Sequence, residues 1–188
     1  MTGSEFPKIT NQSRIGAQRW DHEALQVDWC IQKKIKAGEN SLKAQAEFRQ
    51  IVNKKYSEHF KIFTDGSKNK EKVGFGVYSE SFEIYGRIND ECSVFSAEVM
   101  AICTAIREAP ENRKTVIFSD SASFLKAIEI GDSKNPWMQA CENAAQGKNV
   151  NLVWVPGHAG IPGNEAADLL ANEGKNSEFV YVKLPKID

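Results

Sequence analysis

The chain has 188 residues, 41% hydrophobic and 26% charged, with a net charge of −1. That balance suits a globular protein with one domain of common size plus a modest extra segment. No apolar run approaches the length needed to cross a bilayer, and the N-terminus lacks the basic-then-apolar pattern of a secretory signal. Cys30, Cys92, Cys103 and Cys141 are scattered with no CxxC pair, which argues against structural zinc and against a disulfide scaffold. Reduced thiols in an intracellular protein are expected, with nucleus and cytoplasm both open.

In chain order, residues 1–20 are polar and without a clear period, and Met1 to Phe6 reads like a cloning-linker scar on a disordered lead. The chain is therefore expected to be a piece of something longer. From Asp21 to Ala37, Val27, Ile31 and Ile35 recur at four-residue steps, and Gly38 follows as a stop signal, which predicts a helix. Ser41 then caps a second helix to Lys55, with Leu42, Ala46, Phe48, Ile51 and Val52 toward a core. The pair would form a helical connection segment at 21–56, packed on the body or on a neighbouring domain. Residues 1–56 carry ten basic and six acidic residues, leaving 14 basic against 19 acidic in the remainder. An acidic body is a poor partner for nucleic acid by itself. The basic lead could add phosphate contacts, although a charge run is more often a solvated helix face.

The body is expected at 57–176, followed by a tail at 177–188. Lys61 to Asp65 is a compact strand stopping at Gly66-Ser67, and Val73–Tyr78 and Phe82–Ile88 complete an antiparallel meander. A helix follows from Ser96 to Ala109, then a strand at Thr115–Ser119 and a helix from Ser121 to Glu129. Pro136 opens another helix, Asn151–Val155 is the fifth strand, and Asn164 caps a last helix ending near Gly174. The class is α/β: a five-stranded mixed sheet, antiparallel meander plus parallel strands, with helices on both faces. Ligands in such folds gather at the carboxyl ends of the parallel strands.

Asp65 and Asp120 each end a predicted strand, while Glu98 and Asp168 sit near helix starts. Taken singly, each is more often a turn residue, a cap or an exposed acid. Gathered by the fold, the four carboxylates would repel one another unless hard cations lay between them, which points to a magnesium site for phosphate chemistry.

The blocks Phe63-Thr-Asp-Gly-Ser67, Ser96-Ala-Glu-Val-Met-Ala-Ile102, Phe118-Ser-Asp-Ser121 and Trp154-Val-Pro-Gly-His-Ala-Gly160, with Asn164-Glu-Ala-Ala-Asp168, resemble the type I ribonuclease H family. Four such blocks in order form a specific signal. Phe95-Ser-Ala-Glu98 and the Trp154 to His158 wording look most like the ribonuclease H domain of a non-LTR retrotransposon polyprotein, where an upstream reverse transcriptase domain would be the covalent partner. The resemblance implies a ribonuclease H-like fold and endonucleolytic hydrolysis of the RNA strand of an RNA–DNA hybrid, with no membrane partner. It implies two Mg²⁺ ions, Mn²⁺ able to substitute, held by Asp65, Glu98, Asp120 and Asp168. It also implies a proton-shuttling role for His158, between Gly157 and Gly160. A loop histidine is otherwise usually just solvated, and His22 and His59 look incidental.

Gly66, Ser67, Ser121 and Asn164 are the candidate substrate-binding residues, with the ribose 2′-hydroxyl as the mark of RNA. Many cellular members of the family carry an asparagine pair before the glutamate and a glutamine after the third acid's serine. Here those positions hold Val94-Phe95 and Ala122, and the basic, tryptophan-rich protrusion of some cellular enzymes is missing. Trp137 is expected in the core. Binding by the isolated chain should be weak and salt-sensitive, with the polymerase partner adding grip. The alternatives are a free-standing cellular ribonuclease H and a catalytically silent structural module of a polymerase polyprotein.

Overall fold

The computed structural model describes residues 25–32, 41–131 and 135–178. The predicted lead at 1–20 and most of the tail at 177–188 lie outside them. The meander forms as expected: β2 (Phe60–Lys68) pairs antiparallel with β3 (Val73–Tyr78), and β3 pairs with β4 (Glu83–Ile88). On the other side of β2 the sheet turns parallel, through β5 (Thr115–Ser119) to β6 (Val150–Trp154).

A sixth strand corrects the five-stranded expectation. Residues Leu25–Asp28, predicted as helix, form β1 and lie parallel to β6 at the sheet edge, giving the order β1-β6-β5-β2-β3-β4. The four-residue spacing of Val27, Ile31 and Ile35 suggested a helix, but Leu25, Gln26, Val27 and Asp28 also alternate apolar and polar, and tertiary pairing selected that period. Among the described residues, the first arm of the expected helical hairpin is therefore a strand.

The end of β1 is tied to α1 (Ser41–Lys55): Asp28 accepts from the Tyr56 hydroxyl at 2.5 Å, from the Cys30 N–H at 2.8 Å and from the Lys55 ammonium. Burial acts to raise this carboxyl, yet the three hydrogen bonds and the lysine charge outweigh it and hold Asp28 below its ordinary value. In α1 the buried side chains are Ala44, Phe48 and Val52, whereas Leu42, expected to face inward, is 72% exposed.

Alternation along the central strands builds a core on each face. Ile62, Ile117 and Leu152 pack toward α2 (Val94–Glu108), α3 (Ala122–Ile130) and α4 (Pro136–Ala145) with Phe124, Leu125 and the buried Trp137. Their neighbours Phe63, Val116, Phe118 and Val153 pack on the opposite face, with Phe48 and Val52 of α1 and Ala167 of α5 (Pro162–Gly174). Phe63 stacks on Phe118 at 4.9 Å, and Phe48 meets Phe118 edge-on at 5.2 Å. Packing of α4 on α2 brings Cys103 and Cys141 together as a disulfide across 38 residues, which corrects the expectation of four thiols; Cys30 and Cys92 are free. Sequence spacing carries no trace of that interhelical contact. Among the described residues no helix is long and apolar enough to cross a membrane.

Helix α5 lies almost directly on the backbone of β3. A Cβ at Gly76 would stand 2.3 Å from the Ala167 carbonyl oxygen and 2.4 Å from the Ala171 nitrogen, and one at Gly74 would stand 2.4 Å from the Ala171 oxygen. The obstacles are main chain, so they cannot rotate away. Gly76→Ala is therefore expected to push α5 off the sheet and destabilise the fold by about 2 kcal/mol. Chemical denaturation checks this, and an unchanged midpoint would contradict it.

Candidate active site

Parallel pairing of β2 with β5 ends at Thr64 opposite Ser119. Asp65 and Asp120 are the next residue of each strand, so two carboxylates leave adjacent strands at the same level. β2 does not stop at Gly66-Ser67 as predicted. It continues to Lys68 on β3 alone, with Asp65 opposite Gly76 and Ser67 opposite Gly74. Asp65 therefore lies within a strand and is only 8% exposed.

The other acids arrive on helices held close by glycine. α2 starts at Val94, two residues before the predicted start, because Ser93 caps it by accepting from the Ser96 N–H at 3.2 Å. A Cβ on Gly66 would sit 2.6 Å from the Glu98 nitrogen, so the absence of a side chain there lets the first turn of α2 rest against β2. Glu98 accepts from the Ser121 hydroxyl at 2.5 Å. Ser121 occupies the N-cap position of α3 without capping it, and directs its hydroxyl to the carboxylate instead. The seat of α5 on Gly74 and Gly76 delivers Asp168. The loop from Val155 to Ile161 closes over Asp120, where a Cβ on Gly157 would stand 2.5 Å from Asp120 Oδ2.

The electrostatics record this convergence. Burial, then the Asp120 carboxylate, pushes Asp65 up to about 8; Asp168 and Glu98 add to the effect, and a 2.7 Å hydrogen bond from the Gly66 N–H opposes it. Burial, then Glu98, pushes Asp120 up to about 6, with His158 opposing. Burial also raises Glu98, against the Ser121 hydrogen bond. Asp120 Oδ1 is buried with no hydrogen-bond partner. An all-oxygen set with an orphaned carboxylate oxygen and uncompensated negative charge fits hard divalent cations.

His158 is exposed, with a left-handed backbone (φ 52°) in a loop that also needs Gly160 at φ 71°. Its ring forms a group with Glu165 and Asp168 whose donor atoms all lie within 4.8 Å of one another. Glu165 was not anticipated. An acid in the first turn of a helix reads as a dipole partner; here Glu165 also reaches back to the loop, accepting from the Gly160 N–H at 3.0 Å.

Asn164 is not the cap of α5. Pro162 takes the first helical position after Ile161, leaving Asn164 in the first turn, 2% exposed, with Oδ1 unpartnered. The Ser67 hydroxyl donates to Asn172 Oδ1 at 2.9 Å. At the positions of the cellular asparagine pair, Val94 is exposed and Phe95 packs edge-on against Phe124 at 5.9 Å.

A mixed sheet with acids where its two central parallel strands stop pairing, helices on both faces and a histidine loop over the site defines the ribonuclease H-like class of α/β fold. The chain belongs to the RNase H family, whose model matches residues 57–176. It is 31% identical over 144 residues to human Ribonuclease H1, a match covering 62% of this chain and 50% of that protein. Ribonuclease H of Rhizobium etli is 32% identical over 142 residues, covering 62% and 91% of the two chains. The Pol polyprotein of equine infectious anemia virus is 33% identical over 125 residues, 64% of this chain and 11% of that one. The chain thus spans about half the length of the human relative.

Proposed function

We propose that this chain is a ribonuclease H, hydrolysing the RNA strand of RNA–DNA hybrids endonucleolytically. The observation that carries the reading is the carboxylate cluster around Asp65, where burial first, and the Asp120, Asp168 and Glu98 charges after it, push the Asp65 pKa up to about 8. Asp65 would bridge two divalent cations, Glu98 and Asp120 would complete one site, and Asp168 the other. When bound, Mg²⁺, with Mn²⁺ as a substitute, supplies charge neutralisation and activates water for in-line displacement at phosphorus.

The chain's own groups prepare that site. Ser121 fixes one Glu98 oxygen, and Gly66 fixes one Asp65 oxygen through its N–H. His158, exposed on a glycine-flanked loop, carries a proton toward the leaving ribose oxygen or the departing product. Gly66, Ser67, Ser121 and Asn164 are proposed as substrate contacts, and Gly66 and Ser121 also order the carboxylates of Asp65 and Glu98.

The likeness to a viral Pol polyprotein supports a polymerase-linked role, removing template RNA during retrotransposon reverse transcription, with residues 57–176 as the nuclease domain. The match that covers 91% of the Rhizobium etli protein favours a second reading, a free-standing ribonuclease H. Leu25–Asp28 and Ser41–Lys55 support a broader folding unit than 57–176, since β1 and α1 share its sheet and core.

The test is a labelled RNA–DNA hybrid with Mg²⁺ or Mn²⁺ at several salt concentrations, beside RNA and DNA duplexes. Wild type is expected to cut only the RNA of the hybrid, leaving 5′-phosphate and 3′-hydroxyl ends, and Asp120→Asn to lose at least ~10²-fold in rate. An intact hybrid in every condition would remove the enzymatic reading; equal cutting by the variant would remove the site assignment.

A further inference from the structure

Beyond the acids, one chain of hydrogen bonds reaches the site and is used by none of the steps above. Asn172 lies one helical turn after Asp168 on α5, and its Nδ2 donates to Asp168 Oδ1 at 2.9 Å and to the Asp168 carbonyl at 2.9 Å. Its Oδ1 accepts from the Lys175 ammonium at 2.6 Å and from the Ser67 hydroxyl at 2.9 Å. Lys175 also donates to Ser67 Oγ at 2.9 Å. The three side chains close a ring between the end of β2 and the last turn of α5.

A carboxamide can present either its oxygen or its nitrogen to a neighbour, and the choice normally follows the surroundings. Here it has one answer. An ammonium has donors and no acceptor, so Lys175 forces the Asn172 oxygen toward itself and the NH₂ toward Asp168. Ser67 is constrained by the same cation, since it accepts from Lys175 and must turn its own proton to Asn172. Asp168 is thereby held by a donor whose orientation is fixed from one turn further along the same face of the helix.

We propose that Asn172 is a positioning residue for Asp168 and that Lys175 acts through it, presetting the carboxylate for a divalent cation. This rests on the assignment of Asp168 as a metal ligand. Groups that orient a ligand in this way commonly change metal affinity 10- to 100-fold when removed. The same ring occupies the Ser67 hydroxyl before any substrate arrives.

The experiment measures Mn²⁺ binding to the full chain without nucleic acid, by paramagnetic resonance and calorimetry, together with kcat and KM on the hybrid. Asn172→Leu is expected to weaken Mn²⁺ binding about tenfold and to lower kcat with KM for the hybrid unchanged. Lys175→Met should act in the same direction by a smaller factor, Lys175→Arg should restore most of the loss, and adding Lys175→Met to Asn172→Leu should change nothing further. Unfolding in EDTA shows whether each variant folds, and the half-exposed Lys175 supplies the decisive variant should Asn172→Leu not fold.

Wild-type Mn²⁺ affinity in folded Lys175→Met or Asn172→Leu protein overturns the proposal. So does a rise in KM alone, which would make Lys175 a phosphate contact. Failure of wild type to bind Mn²⁺ or cut the hybrid would instead sink the functional reading.

Discussion

Asp65→Asn is expected to abolish hybrid cleavage, by on the order of 10³-fold or more, while making the metal-free protein more stable. The two effects have one cause. Asp65 sits within β2, almost fully buried, among Asp120, Asp168 and Glu98, and its folded-state pKa is pushed up to about 8 from an ordinary 3.8. A carboxyl with a raised folded pKa binds a proton in the native state that the unfolded chain has already released. Its ionisation therefore disfavours folding, by nothing below pH 4 and by a growing amount as pH climbs to about 8.

The full shift would correspond to a ceiling of about 6 kcal/mol. Asp120 shares the same repulsion, so the relief on removing one charge is on the order of 2 kcal/mol. Asparagine keeps the shape and an oxygen for the Gly66 N–H. In EDTA at pH 8 the variant should melt about 4–8 °C above wild type, and at pH 4 the two should coincide. A lower midpoint for the variant at pH 8 would show that Asp65 is a structural rather than a strained group.

The sheet was legible wherever strands are buried on both faces or close a short turn. Thr115–Ser119, fully buried, and the glycine-alternating Val73–Tyr78 formed as read. β1 was not legible, because a four-residue edge strand carries too few residues to outvote a four-residue hydrophobic spacing, and its partner β6 lies more than a hundred residues downstream. The four acids stood out in the sequence through the strand and helix runs around them, although Asp65 lies inside β2 and Asp168 in the middle of α5.

Their supporting groups were less visible. Ser121 read as a helix start and a substrate contact, and its hydroxyl holds Glu98. Asn164 looked like a cap, and Pro162 had already started the helix. Asn172 and Lys175 stand four and seven residues beyond Asp168, a helical spacing that could have flagged them. Nothing in sequence said that Ser67 would lie across from them.

The second large effect joins metal to pH in the wild-type protein. A divalent cation that binds only the folded chain stabilises it by about 2.7 kcal/mol at a hundred times its dissociation constant. It must displace any protons on the carboxylates it enters. Asp65, at about 8, and Asp120, at about 6, are the groups that hold those protons. Below pH 6 both are protonated, and apparent affinity should fall about a hundredfold per pH unit, one factor of ten for each proton.

Saturating Mg²⁺ or Mn²⁺ at pH 8 is therefore expected to raise the thermal midpoint by several degrees, and the same concentration at pH 5 to leave it unmoved. Without metal the trend reverses sign: stability in EDTA declines from pH 4 toward pH 8 as Asp65 is forced to ionise. Adding EDTA to the loaded protein should stop cleavage and return the midpoint to the metal-free curve. An equal increment from the cation at pH 5 and pH 8 would mean that it binds somewhere other than these carboxylates. In Asp65→Asn and Asp120→Asn the increment at pH 8 should shrink, because each variant removes a proposed ligand as well as the charge that favours a cation.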